Sequence, residues 1–175
     1  MNPADLGLLI LRVVVGLTFA AHGAQKAFGW WQGSGWAGWH AVVERMGFRP
    51  VPLFAAISIA AELGGGLALA VGFLTPLAAT LLIGQSTVII GKAHWPRGFW
   101  NRDNGFEFPL SLVAGAIAIL LIGPGAVSVD EAAGLAFGDA VRLSLLVVGL
   151  LGGALSILVS TLATRRAVDG PASAH

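Results

Sequence analysis

Long apolar runs broken by short polar clusters set the pattern of this chain. A hydrocarbon core of about 30 Å needs roughly 20 apolar residues in helical form. Five segments approach that length: about Leu6–Phe28, Pro52–Leu74, Pro76–Ala93, Phe108–Ile122 and Val141–Ala163. The second and third are separated by a single turn at Leu74-Thr75-Pro76, which predicts an antiparallel helical hairpin with proline in the first turn of the later helix. The fourth is the shortest and stops at Gly123-Pro124-Gly125. Between the first two runs, Trp36, Trp39, Val43 and Met46 recur at three- to four-residue spacing. That period predicts a short amphipathic helix in the membrane interface, within a segment spanning about 30–50, with Trp30 and Trp31 as further belt residues. Aromatic anchoring is the favoured role for these rings over ligand stacking.

The expected fold class is therefore all-α, a polytopic transmembrane helix bundle. Composition agrees: 56% of the 175 residues are hydrophobic and 11% charged, with a mean hydropathy of +0.82. Soluble domains carry about 25% charged residues. A cleaved signal peptide is the competing reading of the first run. It would need a basic leader, whereas Met1–Leu6 has none and Arg12 interrupts the run.

Charge changes the picture by fixing direction. Lys26, Arg45, Arg49, Lys92, Arg97, Arg102, Arg165 and Arg166 lie in, or beside, the first loop, the third loop and the C-terminal tail. Asp130, Glu131 and Asp139 lie on the other side. Basic loops stay cytoplasmic, so the N-terminus is expected outside and the C-terminus inside a bacterial inner membrane. Residues 165–175 read as a disordered cytoplasmic tail. A net charge of +1 gives nucleic acid no footprint, and the absence of cysteine excludes disulfides, iron–sulfur clusters and thiol chemistry within this chain. The expected partners are the lipid bilayer and a redox subunit or further copies of the chain.

The candidate chemistry lies inside the apolar runs, where an ionisable group is expensive unless it is paired or wet. Arg12, Gly16, Phe19, His22, Gly23 and Lys26 share one helical face, with Gln25 nearby. Glu62 sits near the middle of the second run, beside a small-residue stripe of Ala61, Gly65, Ala68 and Gly72. Gln85, Lys92 and His94 follow on the third run, and Glu107 opens the fourth. At 1.5 Å per residue, His22 lies about 9 Å, Gln85 about 12 Å and Glu62 about 15 Å from the cytoplasmic ends. These groups predict one polar pocket opening toward the cytoplasmic leaflet, with Glu62 deepest and Arg12 closing its floor. Glu62, His22 and Lys26 are the expected catalytic groups. Gln25, Gln85, Lys92, His94, Glu107 and Arg12 are expected around the substrate. Both lysines of the chain, against eight arginines, sit at the mouth; lysine is the compact donor that can lose its proton.

His22-Gly23-Ala24-Gln25-Lys26 with Phe28-Gly29 resembles the first signature of the DoxX family. Ala61-Glu62-Leu63-Gly64-Gly65 and Gly72-Phe73-Leu74-Thr75 resemble its second-helix signature. His94–Phe99, Asn104-Gly105-Phe106-Glu107 and Gly123-Pro124-Gly125 with Ser128 and Asp130 resemble its third loop and ending. The resemblance covers about Leu8 to Asp130. It implies a four-helix core over 1–130, with the fifth transmembrane helix (131–164) lying outside that core. It also implies a membrane oxidoreductase, since relatives are linked to quinone chemistry, although others look like assembly factors.

The expected function is a quinone-interacting oxidoreductase subunit. Glu62 and His22 would supply protons, Lys26 or Gln25 would bind a carbonyl oxygen, and electrons would come from a partner. Gly64-Gly65-Gly66 lies in an apolar helix and does not make a dinucleotide fingerprint. Quinone is the expected cofactor and no metal is expected. Haem held by His22 and His94 is disfavoured by a depth difference of about 9 Å. A non-catalytic accessory or assembly protein, and a small-molecule transporter, stand beside this reading. The stripe Gly149, Gly152, Gly153 and Ser156 is the mark of the accessory reading, although internal packing explains it better.

Overall fold

Asn2 and Pro3 start the first helix. Asn2 accepts from the backbone N–H of Asp5, Asp5 answers with a bond from the Asn2 N–H, and proline fills a position whose own N–H would be unsatisfied. The structure, a computed structural model, describes residues 2–169, and all its regular elements are helical. We label them α1 (Pro3–Phe28), α2 (Gly35–Arg45), α3 (Val51–Val71), α4 (Thr75–Arg97), α5 (Glu107–Ile122), α6 (Val129–Ala132) and α7 (Asp139–Asp169).

Helices α1, α3, α4 and α7 are each long and apolar enough to cross a membrane, and α5 is a shorter apolar helix of 16 residues. At 1.5 Å per residue α5 reaches about 24 Å. Its last carbonyls are closed by Arg142 from α7, whose Nη1 donates to Leu121 and Ile122 at 2.9 Å. Helix α7 continues to Asp169, so residues 165–169, expected in a disordered tail, are helical. After Gly153 the chain offers no glycine or proline to stop the helix before Gly170-Pro171. The remainder of the expected tail, 170–175, lies outside the described residues.

Helix α4 is central. Ala79, Leu82 and Ile83 on it are fully buried and pack with Val15, Phe19, Leu69, Val113, Ala116 and Ile119 from α1, α3 and α5. Lipid is as apolar as leucine, so close packing, not water exclusion, must hold such helices together. Glycines supply that closeness. A Cβ at Gly16 would stand 2.6 Å from Ala70 N and Gly66 O, and one at Gly66 would stand 2.5 Å from Ala20 N. On α7, Gly149 and Gly153 are pressed against Thr80, Gly84 and Thr87 of α4. This part of the Gly149–Ser156 stripe packs the bundle internally.

The stripe expected on α3 is displaced. Gly66 and Ala70 face α1, whereas Gly65 faces Leu82 of α4. The reason is a wide turn at Ala60–Gly64, where the N–H of Gly65 bonds the carbonyl of Ala60, five residues back. The inserted residue rotates everything after it relative to a regular helix.

At one end of the bundle, Arg12 donates to the carbonyls of Ala70 (3.2 Å), Pro124 and Val127. The carboxylate of fully buried Asp130 accepts the N–H groups of Leu74 (2.7 Å) and Thr75 (2.8 Å), the start of α4. This lock joins the beginning of α1, the α3–α4 turn and the segment after α5. The opposite end collects the last turns of α1, α4 and α7 and the first turn of α5.

Candidate functional site

That opposite end encloses a cavity of about 720 Å³, to which α1, α2, α3, α4, α5 and α7 all contribute. Its deepest chemistry is a buried ion pair. Lys26 Nζ lies 2.5 Å from Glu62 Oε1, with the Lys26 side chain 12% and the Glu62 side chain 2% exposed. Gln85 supports the same oxygen: its Nε2 donates to Ser58 Oγ at 2.5 Å and reaches Glu62 Oε1 at 3.5 Å. Above the pair, the ring of Trp39 lies 4.0 Å from Lys26 Nζ, a cation–π contact.

Two polar atoms of this cluster have no protein partner: Glu62 Oε2, an acceptor, and Trp39 Nε1, a donor. A buried polar group without a partner is costly, and both of these atoms belong to residues that line the cavity. His22 lines the same cavity and packs edge-on against Phe108, with ring centroids 5.8 Å apart. Phe19, Leu112 and Ile89 make the walls apolar. At the mouth stand Lys92, which donates to Thr161 Oγ1 at 2.9 Å, with Arg45, Arg97 and Arg165. Among the described residues no carboxylate bridges to these four cations, and Glu62 is the cavity's acidic lining residue.

Two local distortions place these groups. The wide turn of α3 contains Glu62. A second one, at Ile90–His94 of α4, contains Lys92 and His94, and there the N–H of Trp95 bonds the carbonyl of Ile90. Such turns commonly mark functional positions.

The structure brings Glu62, His22, Lys26, Lys92 and His94 to one cavity. Nδ1 of His94 lies 2.7 Å from the Asn104 carbonyl, which ties the ring to the loop before α5. Four other expected residues lie elsewhere. Gln85 stands behind Glu62 and lines a second cavity. Gln25 turns into a shallow groove with Val14, Thr18 and Trp31, and Gly33 of the connecting turn lies against it. Glu107 accepts from the N–H of Asn101 at 2.9 Å and holds the loop. Arg12, 2% exposed, belongs to the lock at the far end and does not line the cavity. In the other direction, Trp39 was expected as an interfacial anchor, but it is 9% exposed and turned inward. Within the segment 30–50, Trp30, Trp31 and Trp36 are the exposed rings.

Comparison with known proteins agrees with this architecture. A model of the DoxX family matches residues 7–95, which covers α1 to α4. The inner membrane protein YqjF of Escherichia coli (strain K12) is 32% identical over 130 residues, spanning 73% of this chain and 92% of that protein. No solved structure matches. The matched stretch carries the Lys26–Glu62 pair, both wide turns and most of the helices that frame the cavity, and on these grounds the chain is a multi-pass membrane protein of the DoxX family.

Proposed function

We propose that the cavity binds a quinone headgroup and exchanges protons with it, as part of an oxidoreductase whose electrons come from a partner redox subunit. One observation carries this reading: Glu62 and Trp39, which line one apolar-walled cavity, each bury a polar atom that has no protein partner, a carboxylate oxygen and an indole N–H. A quinone carbonyl accepts a hydrogen bond, as Trp39 Nε1 can donate one. A quinol hydroxyl donates a bond, as Glu62 Oε2 can accept one. The two orphan atoms therefore suit the two redox states of the same ligand.

Reduction of one quinone to quinol takes two electrons and two protons. The partner supplies the electrons. The two protons come from water at the mouth and are relayed to the two oxygens, one by His22 and one by Glu62, whose carboxylate must first take up a proton before it passes it on. Lys26, held by Glu62 and the Trp39 ring, places positive charge where negative charge develops on the ring, and the cations of the mouth add to that field. The basic mouth is assigned to the cytoplasmic side of a bacterial inner membrane, with the N-terminus outside.

The test is a titration of the purified chain with decyl-ubiquinone, followed by calorimetry. Wild type is expected to bind saturably, and a variant carrying Glu62→Gln with His22→Ala is expected to bind at least about tenfold more weakly, the loss of one or two hydrogen bonds. Equal binding by the two proteins would remove the quinone site and favour an accessory role.

A further inference from the structure

The ion-pair cavity has a neighbour. A second cavity of about 310 Å³ lies between α3, α4 and α7 and shares Trp39, Met46 and Ile89 with the first. We infer that this flank cavity is a side entrance from the lipid, through which the apolar chain of a membrane-soluble ligand leads its headgroup to Glu62; the inference rests on the quinone reading above.

Three observations support it. The flank cavity is apolar, and Ile57, Leu81 and Val148 at its border are half-exposed on the outer surface of the bundle, where lipid would lie. It also adjoins the right place, because Gln85 lines it and reaches Glu62 Oε1, while Trp39, whose indole N–H is unpartnered, lines both spaces. The third observation is a contrast along α7. Gly149 and Gly153 are pressed against α4, so a side chain at either would collide. Gly152 lines the flank cavity, yet a Cβ there would meet nothing within 4 Å. Close packing of α7 on α4 explains the first two glycines but not the third. Gly152 is exposed, so the space above it opens to the outer surface and leaves a lane there for an alkyl chain.

The polar mouth is a poor entrance for such a ligand. An isoprenoid or alkyl chain entering there would have to pass Arg45, Arg97 and Arg165, whose hydrated charges favour water and phosphate over hydrocarbon. A headgroup without a chain meets no such barrier. The two routes thus predict different ligand dependence.

The experiment uses the full chain in lipid nanodiscs, with decyl-ubiquinone and its chainless parent 2,3-dimethoxy-5-methyl-1,4-benzoquinone as probes. Gly152→Leu is expected to fold, since the added atoms have room, and to fill the lane. Its Kd for the decyl compound should rise about tenfold or more, while its Kd for the chainless compound stays within about twofold of wild type. Val148→Trp, at the outer border, is the second variant should Gly152→Leu not fold, and the same split is expected of it. Equal effects on both probes, or none on either, would overturn the side entrance while leaving the quinone site standing. Failure of wild type to bind either probe would overturn the quinone reading and the entrance with it.

Discussion

Glu62 and Lys26 show why a buried ion pair is better evidence for function than for stability. Taking both charges out of water costs several kcal/mol each, and their attraction recovers that only with good geometry and satisfied lone pairs. Here the geometry is close, at 2.5 Å, but one carboxylate oxygen is left without a protein partner. An apolar pair would hold the helices as well or better. The account predicts that Glu62→Leu alone, which strands Lys26, destabilises the protein by about 3–5 kcal/mol, whereas Glu62→Leu with Lys26→Met recovers most of that loss. Unfolding in mixed detergent micelles measures both. A double variant as unstable as the sum of the two single ones would contradict the pairing.

The residue scale is also where sequence reading was strongest. An acid, an imidazole and an amine placed at known depths in apolar helices had to face inward, and Glu62, His22 and Lys26 do line one space. Trp39 escaped because a ring at helical spacing in a loop reads equally as an interfacial anchor; only the packing of α2 against Phe48, Val51 and Ala55 turns it inward. Arg12 was legible as buried but not as structural, since its partners are carbonyls 58, 112 and 115 residues later, which leave no side-chain signal.

Among the elements, the existence and order of α1, α3, α4, α5 and α7 follow from apolar length and the stop signals of glycine and proline, while the C-terminal ends of α4 and α7 run past the apolar pattern. The two wide turns do not follow from that pattern. A five-residue hydrogen bond changes no residue's hydropathy, so the pattern runs smoothly through Ala60–Gly64 and Ile90–His94. Yet the first of these decides which glycine faces which helix. Gly66 meets α1 at backbone distance, while Gly64, two residues earlier, would place a Cβ in open space. Gly66→Val is therefore expected to disrupt the α1–α3 contact and abolish recovery of monodisperse protein, whereas Gly64→Ala is expected to be neutral or slightly stabilising through helix propensity. Size-exclusion chromatography and thermal melts separate the two. Tolerance of Gly66→Val would mean that α1 and α3 do not meet as described.

At the scale of the whole molecule, the two ends of the bundle divide the labour. The Arg12–Asp130 end is a lock of side chains on backbone groups, and the Lys26–Glu62 end is a cavity with a basic rim. Segregation of basic residues predicts that the rim faces the cytoplasm. The chain contains no cysteine, so single cysteines can report this directly. Asn101→Cys, in the loop before α5, should react with a membrane-impermeant maleimide only after the membrane is opened. Leu135→Cys, beyond α6, should react in intact spheroplasts. The reverse pattern would invert the topology and place the cavity mouth outside.

The central claim is that a quinone headgroup lies between Glu62 and Trp39. Photolabelling with an azido-quinone, followed by peptide mass spectrometry, tests it most directly. The account predicts adducts on α2 around Trp39 and on α3 around Glu62, suppressed by excess decyl-ubiquinone and weakened in Glu62→Gln. Adducts confined to the outer faces of α1 and α7, or labelling that excess quinone does not suppress, would contradict it.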